Sequence, residues 1–104
     1  MDINTALLEI DDLVISENYE NENLKLYLSR KLKEGGTILH REFELIEKII
    51  KSFVNSLGES EIRNLWEQTE SGQNAKNTDN YELALISTIN DLETELLDLY
   101  IENL

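Results

Sequence analysis

Apolar residues recur along the chain at alternating steps of three and four, which is the period of an amphipathic α-helix. This pattern is clearest over residues 38–57, where it persists without a break, and we expect this helix to be central. Thr37 stands where it can cap the first turn. The pattern predicts five helices in all, covering residues 2–16, 23–33, 38–57, 61–70 and 80–103.

Polar residues and glycines mark the boundaries between these helices. Gly35 with Gly36, Gly58 and Gly72 each follow a helical pattern, where a left-handed residue can close the last turn. We expect Ser60 to cap the fourth helix. The stretches 17–23 and 71–79 are predicted to be a linker and a polar loop.

The last predicted helix begins beside a capping box and carries a broad apolar arc. Asp79 and Glu82 have the spacing of that box. The arc is wide enough to pack against two or more neighbouring helices. Its members are Tyr81, Leu85, Ile86, Ile89, Leu92, Leu96, Leu97, Leu99, Tyr100 and Leu104.

One segment also fits a second structure. Leu24, Leu26 and Leu28 alternate as in a strand, so residues 24–45 could form a hairpin that turns at Gly35 and Gly36. The helical stripe continues well beyond this segment and favours the helix. The predicted fold is therefore one all-α domain over residues 1–104, a single compact bundle of about five amphipathic helices.

Charge is large and unevenly placed. The net charge is −13, and residues 1–23, 24–57 and 58–104 carry −7, +3 and −9. Such a field repels phosphate and anionic lipid, so we expect neither direct nucleic-acid binding nor a membrane surface as partner. It attracts a basic protein and speeds their encounter.

The segment of net positive charge has a simpler explanation than nucleic-acid binding. Aromatic residues do not interleave with its cations as base-stacking platforms would. We therefore predict that these side chains pair with the protein's own acids. They are Lys25, Arg30, Lys31, Lys33 and Arg41, five of the seven Lys and Arg residues of this segment.

Catalytic and cofactor motifs are missing from the sequence. The chain has no cysteine, and its one histidine, His40, lacks the partners of a metal or acid–base site. Residues 69–82 lack the ligand spacing of a calcium loop. We expect no enzyme, no cofactor and no metal, with His40 partly exposed at a helix start and Trp66 in the core.

Two acidic rows are the candidate binding residues. Asp91, Glu95, Asp98 and Glu102 follow one flank of the last helix, and we expect this flank to face water. Glu9 and Asp12 face away from the apolar stripe of the first helix. If the two terminal helices pack together, these rows could merge into one anionic surface.

Two functions fit these features. The first is an acidic inhibitor or immunity protein, of the kind bacteria use against nuclease toxins, which would cover a cationic active site; the likeness is of size and charge only. The alternative is a structural or adaptor module acting through apolar self- or hetero-association. Leu8, Ile15 and Leu26 lie off the main stripes and would serve that interface. The acidic amino-terminal stretch is unlike a signal peptide, and we expect a cytoplasmic protein.

Overall fold

The computed structural model describes residues 1–76 and 87–104. Within these ranges the chain forms six helices and one two-stranded hairpin. The predicted all-α class is therefore confirmed. The described residues hold six helices, where the sequence predicted about five for the chain. The helices are α1 (Ile3–Ile15), α2 (Leu24–Lys33), α3 (His40–Asn55), α4 (Glu59–Glu67), α5 (Glu70–Lys76) and α6 (Thr88–Glu102). The strands are β1 (Asn18–Tyr19) and β2 (Glu22–Asn23).

Helix α6 packs against α1, α3 and α4, and α1 packs against α2 and α3. The predicted stripes supply this core, since Ile10, Ile46 and Leu96 are among its fully buried members. Trp66 is also fully buried, as predicted. Leu39 is 45% exposed although its spacing placed it on a stripe, because it precedes the first turn of α3.

The short hairpin replaces the predicted linker. Asn18 pairs with Asn23 and Tyr19 with Glu22, across Glu20 and Asn21, which have φ of 50° and 68°. Two positive φ values in succession are what a tight hairpin turn requires. The alternative hairpin over 24–45 is wrong, because Asn23 accepts a hydrogen bond from Leu26 N at 2.8 Å and starts α2.

Helix α3 begins two residues later than predicted, and Thr37 does not cap it. The carboxylate of Glu42 accepts a hydrogen bond from Leu39 N at 2.9 Å. The same carboxylate is fully buried and receives Lys31 Nζ at 2.8 Å and Tyr19 O–H at 3.3 Å. Glu42 therefore fixes this helix start through a local contact at a spacing of three residues, and the buried contacts with Lys31 and Tyr19 hold its carboxylate there.

The fourth predicted helix is divided. Helix α4 begins at Glu59 after Gly58, so Ser60 is not its cap, and it ends before a separate helix, α5. The predicted loop is thus helical over residues 71–76, and its residues 77–79 lie outside the described part of the chain. The α5 start is capped by Thr69, whose Oγ1 accepts a hydrogen bond from Gly72 N at 3.1 Å.

The glycines have different roles. Gly35 has φ of 86° and ends α2 as predicted. Gly72 instead lies inside α5, where a methyl group would overlap the carbonyl oxygen of Trp66. Glycine here permits the close approach of α5 to α4. The predicted capping box of Asp79 and Glu82, and the predicted helix start at Asn80, lie outside the described residues.

Candidate protein-binding surface

The outer face of α6 carries the predicted acidic row. Its members repeat at steps of four, three and four, so the row runs about 16 Å along the helix. Leu92 and Leu96 on the opposite face are fully buried, which fixes the direction in which the row points. The row and Glu70 of α5 line one shallow cleft of about 550 Å³, the acidic cleft. Its acids are Glu70, Asp91, Glu95, Asp98 and Glu102.

Two members of the row also hold the fold together. Glu95 accepts hydrogen bonds from Ser71 N at 3.0 Å, Ser71 Oγ at 3.1 Å and Glu70 N at 3.2 Å. Asp91 accepts hydrogen bonds from Trp66 Nε1 and Ser87 Oγ, both at 3.3 Å. Both carboxylates are half-buried as a result.

The other two members, Asp98 and Glu102, are exposed. The expectation that the row faces water therefore holds fully for these two. Among the described residues neither accepts a hydrogen bond nor forms an ion pair, so both are available to a partner. The cleft thus combines a fixed half near α5 with a solvated half near the end of α6.

The terminal helices pack together, but their acidic rows do not share one cleft. Tyr100 O–H of α6 donates to Asp11 Oδ1 of α1 at 2.8 Å. Glu9 and Asp12 are exposed on the side of α1 away from the core, and neither lines the acidic cleft. They form a separate anionic patch.

Of the five cations for which internal pairing was predicted, four pair internally. Arg30 contacts Glu22 at 2.7 Å, and Lys31 contacts Glu42 at 2.8 Å. Lys25 pairs with Asp11, and Arg41 lies 3.6 Å from Glu20. Within residues 1–76 and 87–104, Lys33 forms no such pair.

This pairing decides where negative charge remains. The partners of these cations are acids of α1, the hairpin and α3. No Lys or Arg in the described part of the chain pairs with any of the six predicted binding acids. The acidic cleft also has no Lys or Arg in its lining.

The internal pairs change the ionisation of the buried acids. Burial alone would raise the pKa of Asp11, but hydrogen bonds from Lys25 and Tyr100 outweigh it and the pKa is lowered. In the same way, Lys31 and the amide of Leu39 outweigh burial and lower the pKa of Glu42. Burial and the bond to Asp11 raise the pKa of Tyr100. Asp11 and Glu42 are therefore ionised structural groups.

A second concave feature lies between α1 and the end of α6, the α1–α6 groove. It has a volume of about 350 Å³. Leu8, which is 67% exposed, forms part of its wall. The apolar spacing placed Leu8 off the main stripe of its helix. Nothing in the local sequence indicates that Tyr100 of α6 lies beside it. The lining is Asn4, Leu7, Leu8, Asp11, Lys25, Tyr100 and Asn103.

The remaining chemical candidate, His40, is the first residue of α3. It stands at a helix start, as predicted, and its side chain is 86% exposed, which is more than the partial exposure expected. Its Nε2 lies 2.9 Å from Glu44 Oε1. In the described ranges, no group of three or more His, Asp or Glu side chains is arranged so that it could hold a metal ion. None of the helices in those ranges has the length and apolar character needed to cross a bilayer.

Comparison of the chain with known proteins gave no match to a family model, to a curated protein or to a solved structure.

Proposed function

We propose that this protein is a non-enzymatic acidic binding protein that captures a basic partner through the acidic cleft. Its most specific form is an inhibitor or immunity protein that covers the cationic active site of a nuclease toxin. One observation carries the proposal: among the described residues that line the cleft there are five carboxylates and no Lys or Arg.

Carboxylates in a row can stand where phosphates stand on a nuclease. Cationic side chains that hold a nucleic-acid backbone hydrogen-bond equally well to carboxylates. The row of about 16 Å offers successive contacts along a groove rather than a single one. Asp98 and Glu102 are free to make these contacts.

Preorganisation favours this use of the cleft. The bonds to Ser71 and Trp66 hold Glu95 and Asp91 in place before a partner arrives. Binding then loses less side-chain entropy at these two positions than at a flexible carboxylate. Long-range attraction from the net charge of −13 raises the rate of encounter.

The test begins with affinity capture of the partner from the native host and its identification by mass spectrometry. Association is then followed by stopped flow for the wild type and for Asp98→Asn/Glu102→Gln. We expect the double variant to associate about tenfold more slowly at low salt, with unchanged helicity by circular dichroism. If the partner is a toxin, the wild type should rescue cells from it and the variant should rescue them less.

The matched control is Glu9→Gln/Asp12→Asn, which removes the same charge from the separate patch on α1. Unchanged association in this control supports the acidic cleft. Slowing in the control alone would move the binding site to α1. A partner that is acidic, or association independent of both pairs and of salt, would overturn the proposal.

A second candidate, an adaptor acting through apolar association, is favoured by three exposed side chains. Leu8, Leu26 and Ile15 are 67%, 61% and 43% exposed. An adaptor that self-associates should show a mass in solution that rises with concentration. Removing these side chains should then abolish that rise, whereas charge neutralisation in the cleft should not.

A further inference from the structure

We propose that the α1–α6 groove is an anchor site for an apolar side chain on a basic partner, with a Lys or Arg of the partner beside that side chain. This inference rests on the proposed function and adds the apolar contact that the acidic cleft lacks. The occupant is a segment of a basic protein, which meets the groove with an apolar residue and its flanking cations.

The groove wall is apolar where a side chain would enter. Leu7 and Leu8 of α1 and Tyr100 of α6 are among its lining residues. Leu8 is the most exposed large apolar residue in the described part of the chain. Apolar side chains that seat in a formed pocket usually supply much of the binding energy of an interface.

The groove floor is fixed before any partner arrives. Asp11 Oδ1 accepts hydrogen bonds from both Tyr100 O–H and Lys25 Nζ. Lys25 Nζ also lies 5.6 Å from the centroid of the Tyr100 ring. Both bonds end on Oδ1, and no described residue donates to Oδ2. That oxygen can accept a hydrogen bond from a cation beside the inserted side chain.

Charge decides which occupant fits. Helix α1 carries three acids and α6 carries five, and neither has a Lys or Arg. The one cation in the groove lining, Lys25, is already paired with Asp11. A second copy of this chain would bring a further net charge of −13 to the same place, so like-charge repulsion disfavours a second copy as the occupant. A basic segment is attracted by the same field.

Two blocked helical peptides of alanine and lysine serve as probes. One carries a pair of leucines at i, i+4, and the other carries serines at the same positions. Each is titrated at low salt into isotope-labelled protein and followed by amide NMR. We expect the leucine peptide to shift the resonances of Leu8, Tyr100 and Asn103, and the serine peptide to leave them in place.

The variant Leu8→Ser should weaken binding of the leucine peptide about tenfold, because most of an exposed leucine surface is no longer buried on binding. The matched control is Leu26→Ser. Leu26 is the same residue type with nearly the same exposure, but it does not line the groove. The control should bind like the wild type, and Leu8→Lys should weaken binding further by repulsion.

Several results would overturn the inference. Equal weakening by Leu8→Ser and Leu26→Ser would assign the effect to general apolar contact. Shifts of both peptides only near Asp98 and Glu102 would remove the groove but leave the acidic cleft and the proposed function standing. No binding of either peptide would count against both. If sedimentation without peptide shows that the wild type is a dimer, and Leu8→Ser abolishes this dimer, then the occupant of the groove is a second copy of the chain and not a basic segment.

Discussion

The carboxylates of the α1–α3 region and those on the outer face of α6 are the same chemical groups in opposite situations. Glu42 is fully buried, and Lys31 and a backbone amide hold it. Asp98 and Glu102 are exposed and pair with no described cation. Burial with a partner makes a carboxylate part of the fold, whereas exposure without one makes it a source of surface field.

Glu95 stands between these two situations. It lines the acidic cleft, and it also accepts the amide hydrogen bonds of the first turn of α5. A change at Glu95 would therefore alter binding and structure together. This is why the tests of binding use Asp98 and Glu102.

The largest contrast is expected from removing one carboxylate of each kind. Glu42→Ala should lower the free energy of unfolding by about 3 kcal/mol, since it leaves Lys31 and the Leu39 amide without their buried acceptor. Asp98→Ala should change it by less than about 0.5 kcal/mol. Urea denaturation of both variants measures this, and equal losses would show that the two regions do not differ as described.

The packing of α5, which lines part of the acidic cleft, can be disturbed without changing charge. Gly72→Ala should destabilise by about 2 kcal/mol, because the added methyl group overlaps the backbone of α4 and must push α5 away. At Gly58 an added methyl group would meet open space, so Gly58→Ala is the matched control. Its loss of N-cap preference and its stiffer unfolded chain should roughly cancel. Denaturation midpoints that are lowered alike would contradict this account.

Acid should remove the stabilisation that the paired carboxylates of Asp11 and Glu42 give to the fold. Asp11 and Glu42 have lowered pKa values when folded, so their stabilisation is present above the ordinary carboxyl range near pH 4 and is lost as the pH falls through the lowered values. We expect about 1 kcal/mol of loss for each.

The variant Asp11→Asn/Glu42→Gln has neither of these ionisable groups, so it cannot lose stability by their protonation. It starts less stable at pH 7, and its unfolding free energy should then fall less on acidification than that of the wild type. Denaturation at pH 7, 5 and 3 provides the comparison. A variant that loses as much as the wild type would show that other groups control the acid response.

The smallest effect concerns salt. Added salt should raise the melting temperature of the wild type, because it screens repulsion among the exposed acids. Asp98→Asn/Glu102→Gln should gain a few tenths of a kcal/mol at low salt and show a weaker salt dependence. Calorimetry at two salt concentrations tests this. A melting temperature insensitive to salt would contradict the placement of the acids.

Apolar spacing predicted the long helices because each one buries a stripe of its own. Ile10, Ile46 and Leu96 are buried where the period of three and four placed them. Helix α5 has no such stripe, and it depends on contacts from α4 and α6. Its local signals were Thr69 as a cap followed by the acid Glu70, which the apolar pattern of the preceding helix concealed.

The candidate site divides in the same way. The acidic row could be predicted, since charge and helical period are both local properties. The bonds of Glu95 to Ser71 and of Asp91 to Trp66 join residues that are far apart in sequence, and no spacing rule indicates them. The start of α3 is a mixed case, because the contact of Glu42 with Leu39 N has a local spacing of three residues, whereas its contact with Lys31 joins another helix.

The hydrogen bond between Tyr100 and Asp11 spans 89 positions of the chain and has a consequence for synthesis. On the ribosome α1 is made 89 residues before the ring of Tyr100 that contacts Asp11. Until then Asp11 lacks one of its two donors. Closure of this contact must therefore wait until the chain has been made through Tyr100.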